Sequence, residues 1–175
     1  MKIYAVRHGH TNYNRWHILN SDPKVDVRLT RRGRKQAEAL AQEIQYIEFD
    51  HVYTSELPRT IETADIATRG REIERTVEPL INDIRTGMEK WPVWLWLLRL
   101  RLNKSPRSAR FDGGETLDEA RTRVFKGLDK IISSNHKSIL IVGHMHTIHR
   151  LQERYEGRRG SAANARLCVF DTKSA

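Results

Sequence analysis

Three short stretches of this chain carry side chains that could do chemistry together. They are Arg7-His8-Gly9-His10, Ser55 to Arg59, and Gly143-His144-Met145-His146. A neutral imidazole is a nucleophile, and guanidinium groups beside it hold an anion while disfavouring its protonation. His8 flanked by Arg7 and Arg59 therefore suits covalent attack on a phosphoryl group, with His144 bonding that group from the opposite wall. The pairs His8-x-His10 and His144-x-His146 allow a different chemistry, since such pairs bind divalent metals. Arg7 would repel a cation beside it and no carboxylate cluster adjoins either pair, so neither a metal nor another cofactor is expected.

Each stretch directly follows a strand. Lys2 to Val6 reads as a short apolar strand, His51 to Thr54 as a β-branched and aromatic one, and Ser138 to Val142 as a buried one. Helices fall between them. Thr30 can cap one whose inward face carries Ala37, Leu40, Ala41 and Ile44. Ser55 is expected to cap another running to about Arg69, with Gly70 at its left-handed end and Arg59 in its first turn. Residues 71–90 read as extended or irregular. Trp91, Trp94, Leu95, Leu98 and Leu102 form a stripe expected to serve as core or pocket wall.

Thr116-Leu117-Asp118-Glu119 is a capping-box pattern opening a helix to about Ser133, and Glu115 before it can favour that helix N-terminus. A helix follows from about Thr147, and Arg166 to Asp171 reads as a last strand. Strands alternating with helices predict a three-layer α/β/α sandwich with a mainly parallel central sheet. No repeat or Gly/Ser-rich linker divides residues 1–175, so a single domain is expected. In such sheets ligands bind beyond the carboxyl ends of the strands. That rule brings His8, Arg59 and His144 to one crevice.

Those stretches also carry a family resemblance. Arg7-His8-Gly9 with Thr11 and Asn14 resembles the opening motif of the histidine phosphatase superfamily, the phosphoglycerate mutase-like proteins of branch 1. Leu29-Thr30-Arg31-Arg32-Gly33 with Gln36-Ala37 is similar to the next block, and Thr54 to Thr60 to the one carrying a second arginine. Gly113-Gly114-Glu115-Thr116 and Ile141-Val142-Gly143-His144 resemble the last two. All occur in family order across nearly the whole chain.

The resemblance implies a metal-independent phosphomonoester hydrolase working through a phosphohistidine on His8, with Arg7, Arg59 and His144 around the phosphoryl group. It adds Asn14 and Asn20 as phosphate contacts, and Met145 through its backbone N–H. The family's proton donor is a glutamate four residues before a glycine; here that register gives Asp83 before Gly87, with Glu89 in the same loop as the alternative. The variable substrate cap corresponds to about residues 88–112. Ile18 stands where mutases often carry a basic residue, which favours hydrolysis over phosphoglycerate mutase activity. Met145 replaces a common glycine, and Asn12 a common glutamate.

Composition narrows the partners. A formal net charge of +9 and a pI near 10.0 favour anions, and a small phosphorylated substrate is the expected one. Arg99, Arg101, Lys104, Arg107 and Arg110 could draw in a polyanion, so nucleic acid bound by an inactive protein of the same fold is the competing reading. The lone Cys168 fits a reducing cytoplasm and a packing role. The apolar run Trp91 to Leu98 is too short to span a bilayer, and no membrane partner is expected.

Overall fold

The computed structural model describes residues 1–158 and 160–172. Its centre is a five-stranded sheet in the order β3-β2-β4-β1-β5, formed by β1 (Lys2–Arg7), β2 (His51–Thr54), β3 (Arg75–Val77), β4 (Ser138–Gly143) and β5 (Leu167–Asp171). All neighbours pair in parallel except β5, which runs antiparallel to β1. This is the expected sandwich. β3 and the 3-10 turn Pro79–Ile81 lie inside the segment read as extended or irregular, where three residues are too few to show a period.

Alternation along the strands separates two apolar layers. Val6, Val52, Leu140 and Val142 face α2 (Arg31–Glu43) and α3 (Pro58–Ala67), whose Leu40, Ala64 and Ala67 join them in one core cluster. Ile3, Ala5, Ile139 and Ile141 face the other way. They pack with Val124, Leu128 and Ile131 of α5 (Leu117–Ile132) and with Ile148 and Leu151 of α6 (Met145–Glu156). Both helix pairs bury one stripe each, as amphipathic helices do.

Caps set where several helices begin. Thr30 accepts from Gly33 N at 3.2 Å, and Thr116 and Glu119 form the reciprocal box. Ser55 does not cap α3 as expected. Leu57 stands at that position without a side-chain bond, Pro58 supplies the first helical residue, and Ser55 turns inward instead. α6 starts at Met145, two residues earlier than expected, because His144 and Thr147 form its capping box.

The tryptophan stripe departs from expectation. α4 (Val93–Leu102) buries Leu100 and turns Val93 and Trp96 toward a cleft. Trp91, Trp94, Leu98 and Leu102 are exposed, so they are not core.

Candidate active site

Arg7-His8, Ser55 and His144 emerge from the ends of β1, β2 and β4, which lie side by side. His8 N donates to Gly143 O at 3.0 Å, which ties the first loop to the β4 end. Gly9 and Gly33 make that loop possible. A Cβ on Gly9 would lie 2.7 Å from Gly33 O, so the loop rests directly on the first turn of α2. A short helix α1 (Asn12–Trp16), capped by Thr11, follows.

Arg59 is the hub. From the first turn of α3 its Nε donates to His8 Nε2 at 3.1 Å, and its Nη1 to Asn20 Oδ1 at 3.0 Å. Its Nη2 reaches Asn20 O at 3.0 Å, Asp83 Oδ2 at 3.1 Å and His144 Nδ1 at 3.5 Å. The His8 and His144 rings stand edge to face, 5.3 Å between centroids. Arg59, His8 and His144 are all buried.

The hydrogen bonds assign the His8 tautomer. Nδ1 lies 2.8 Å from Gly9 O, so Nδ1 carries the proton and Nε2 the free lone pair. Burial, reinforced by the charge of Arg59, His144 and Arg7, holds the His8 pKa well below its ordinary value. His144 is held well below its ordinary value too, by burial first and then by Arg59 and Arg7. Its Nε2 meets Ser55 Oγ at 2.8 Å, and Ser55 Oγ meets Thr60 Oγ1 at 2.8 Å. Both imidazoles are therefore neutral at neutral pH. Burial also lowers the Arg7 and Arg59 pKa values, while Asp83 opposes the fall in both.

Asp83 lies within the cluster, its Oδ2 3.5 Å from His144 Nδ1. Burial pushes its pKa up, but Arg59, His146, His8 and the Ile84 N–H outweigh that, and the net shift is downward. In this site Asp83 is a carboxylate.

A cleft of about 730 Å³ opens over these groups. Arg7 lines it, anchored by Nη1 to Ala162 O at 3.1 Å, with a buried Nε that finds no hydrogen-bond partner among the described residues. Asn14 lines it as well. Its Oδ1 accepts from Thr11 N at 3.0 Å, and its Nδ2 has no partner among the described residues. Asn20 and Met145 are also at the wall. Glu89 is not brought to the cleft: both of its oxygens are taken by Ser21, which locks the loop instead. Among the described residues no three His, Cys, Asp or Glu side chains gather as a metal-holding group.

A family model described as histidine phosphatase superfamily (branch 1) matches residues 3–173. The chain belongs to this superfamily. Phosphoserine phosphatase 1 of Hydrogenobacter thermophilus is 30% identical over 158 residues, 85% of this chain and 72% of that protein. Phosphoglycerate mutase-like protein 4 of Arabidopsis thaliana is 31% identical over 164 residues, 87% of this chain and 70% of that one. A probable phosphoglycerate mutase GpmB of Photorhabdus laumondii is 27% identical over 142 residues, 74% of this chain but only 62% of its own length. Among solved structures, the alpha-ribazole phosphatase of Shigella flexneri shares the fold with a TM-score of 0.83 at 24% identity, covering 98% of this chain and 90% of that one.

This branch 1 member also holds its site through a pair that the sequence alone did not join, Glu115 and Arg123. Glu115 is buried and receives Arg123 Nε at 3.0 Å and Arg85 N at 2.9 Å. Arg123 in turn donates to the carbonyls of Leu80, Asn82 and Asp83 at 2.8, 3.0 and 3.1 Å. The pair staples the backbone that presents Asp83. Gly87, at φ +70°, and Gly114 let the same loop close, since a Cβ on Gly114 would meet Arg85 O at 2.5 Å. The capping box at Thr116 points to Glu115, but nothing in the local pattern marks Arg123.

Proposed function

We propose that this chain is a metal-independent phosphomonoester hydrolase that turns over through a phosphohistidine on His8. The observation that carries this reading is the lone pair of His8 Nε2, held against Arg59 on the floor of a cleft lined by cations. His8 Nε2 attacks phosphorus, the N–P bond forms and the P–O bond to the alcohol breaks. Arg7, Arg59, Asn14 and His144 hold the equatorial oxygens, where fixed donors stabilise the charge developing in the transition state. Asp83 gives a proton to the leaving oxygen. It then takes one from the water that attacks the phosphohistidine, releasing inorganic phosphate and free His8.

The depressed Asp83 pKa requires a source for the first proton. A substrate monoanion supplies it: its proton passes through Asp83 to the leaving oxygen as the P–O bond breaks, and the arginines take the phosphoryl group as the dianion. The acid is thus loaded by the substrate.

Arg15, Arg32, His10 and His17 extend the basic lining outward, with Asp83 the sole acidic residue among the lining groups. That balance suits a small anionic metabolite. Ile18 lines the cleft where mutases often place a cation, and this favours hydrolysis over transfer between substrate positions.

The test is phosphate release from a panel holding phosphoserine, phosphoglycerates, sugar phosphates and an aryl phosphate. The reading expects inorganic phosphate from at least one, unaffected by chelator and abolished in His8→Ala. Isomerised phosphoester without free phosphate would favour the mutase reading. No turnover, with tight and strongly salt-dependent oligonucleotide binding, would favour the inactive binder.

A further inference from the structure

α4 is apolar on both sides, yet the chain covers only one. Val93, Trp96 and Leu100 face the cleft and core. Trp94, Leu98 and Leu102 recur every fourth residue on the opposite side and are 62%, 43% and 77% exposed. Leu97 and Trp91 are exposed beside them. These five are half of the ten exposed large apolar residues among those described, gathered within twelve positions. An exposed apolar stripe of this size on one helix marks a face built to be covered.

The charges say by what. From Trp91 to Arg110 there are five cations, Arg99, Arg101, Lys104, Arg107 and Arg110, and no acidic residue. Arg99, Arg107 and Arg110 reach acids outside that stretch, at Asp112, Asp118 and Glu119. Arg101 and Lys104 pair with no carboxylate among the described residues. A second copy docked face to face would bring these cations together, on a chain whose net charge is already +9.

An anionic bilayer meets both demands. Its acyl boundary takes leucines, its interfacial zone takes tryptophan, and its headgroups neutralise Arg and Lys. No described helix is long and apolar enough to cross a membrane, and α4 at ten residues suits lying on one.

We infer that the outward face of α4 docks on an anionic phospholipid surface, through Trp94, Leu98 and Leu102 with Arg101 and Lys104 at the rim. Such docking is peripheral and needs no membrane-spanning helix. α4 also walls the cleft, so docking sets the cleft at headgroup level. The inference does not depend on the phosphatase reading.

Co-sedimentation of the full chain with vesicles of phosphatidylcholine and phosphatidylglycerol, and of phosphatidylcholine alone, tests it. The expected result is binding to the anionic vesicles, weakened by salt, and much weaker on the neutral ones. Leu98→Glu with Leu102→Glu should lower binding by about tenfold or more, and so should Arg101→Glu with Lys104→Glu. Neither pair touches the catalytic groups, so any turnover of a soluble aryl phosphate should be unchanged. Failure of the wild type to bind anionic vesicles would overturn the inference. So would a dimer in solution that the leucine variants dissociate, because the face would then be covered by a second copy.

Discussion

Arg59 Nε lies 3.1 Å from His8 Nε2, so the guanidinium proposed to bind the phosphoryl group already holds the lone pair of the proposed nucleophile. One buried cation thereby does two things. It adds to the burial that keeps His8 neutral, and it fixes the direction of Nε2.

Removing that cation should cost both functions. Arg59→Ala is expected to lower kcat/KM by roughly 10²–10³-fold, the usual cost of losing a charged oxyanion donor. Arg59→Lys should rescue little, because one ammonium cannot bond His8, Asn20 and Asp83 together. Steady-state kinetics with an aryl phosphate would measure both. A lysine variant close to wild type would show that the fork geometry is unimportant.

Asp83 should matter in proportion to how badly the leaving group needs a proton. Asp83→Asn is expected to depress turnover of alkyl phosphates far more than of nitrophenyl phosphate, whose leaving oxygen departs as an anion. Equal losses for both substrates would remove Asp83 from the acid role.

The pH profile carries a related expectation. Burial and the nearby guanidiniums hold His8 well below its ordinary value, so its protonation should produce no acid limb in the ordinary histidine range. Asp83 is already ionised, and the alkaline limb should follow loss of the substrate monoanion, near pH 6 for an ordinary phosphomonoester. Changing to a substrate with a lower second pKa should move the limb with it. A limb fixed across substrates would place the proton on the protein instead.

Stability should fall on the acid side for the same reason. His8 and His144 resist protonation when folded but accept it near pH 6.5 when unfolded. The unfolded state therefore binds more protons below pH 6.5. Stability is full above that value and is lost as pH falls toward the folded pKa, by at most about 1.4 kcal/mol per pH unit per histidine. Denaturant melts of wild type and His144→Asn between pH 7.5 and about 5 should show a shallower acid dependence in the variant. Parallel curves would contradict the buried neutral imidazole.

The Glu115–Arg123 pair should couple stability to chemistry. Arg123→Met leaves buried Glu115 with the Arg85 N–H and a guanidinium 3.8 Å away, and is expected to cost about 3 kcal/mol. It also frees the carbonyls of Asn82 and Asp83, so the surviving enzyme should lose more kcat on poor leaving groups than on good ones. A loss of stability with unchanged leaving-group dependence would make the pair structural only.

Much of this site is legible in the sequence because its parts are local. Arg7-His8-Gly9 and Gly143-His144 each end a strand, and strand ends in a parallel sheet share one edge. What depends on distant partners is not legible. Glu89 lies in the loop beside Asp83 but is captured by Ser21, and Ser55 bonds His144 as well as the start of its own helix, without standing at the cap position. Arg123 sits midway along α5 at a position that any helix-surface arginine could occupy. The exposure of Trp94 and Leu102 was equally hidden, because helical spacing reveals which residues share a face but not what covers it.

Trapping the phosphoryl enzyme tests the central claim most directly. Wild-type protein mixed with an aryl phosphate and quenched in alkali should gain one phosphoryl group on the peptide containing His8, removable by acid. His8→Ala should show neither the adduct nor turnover. Turnover by wild type with no such adduct under single-turnover conditions, or turnover retained in His8→Ala, would contradict it.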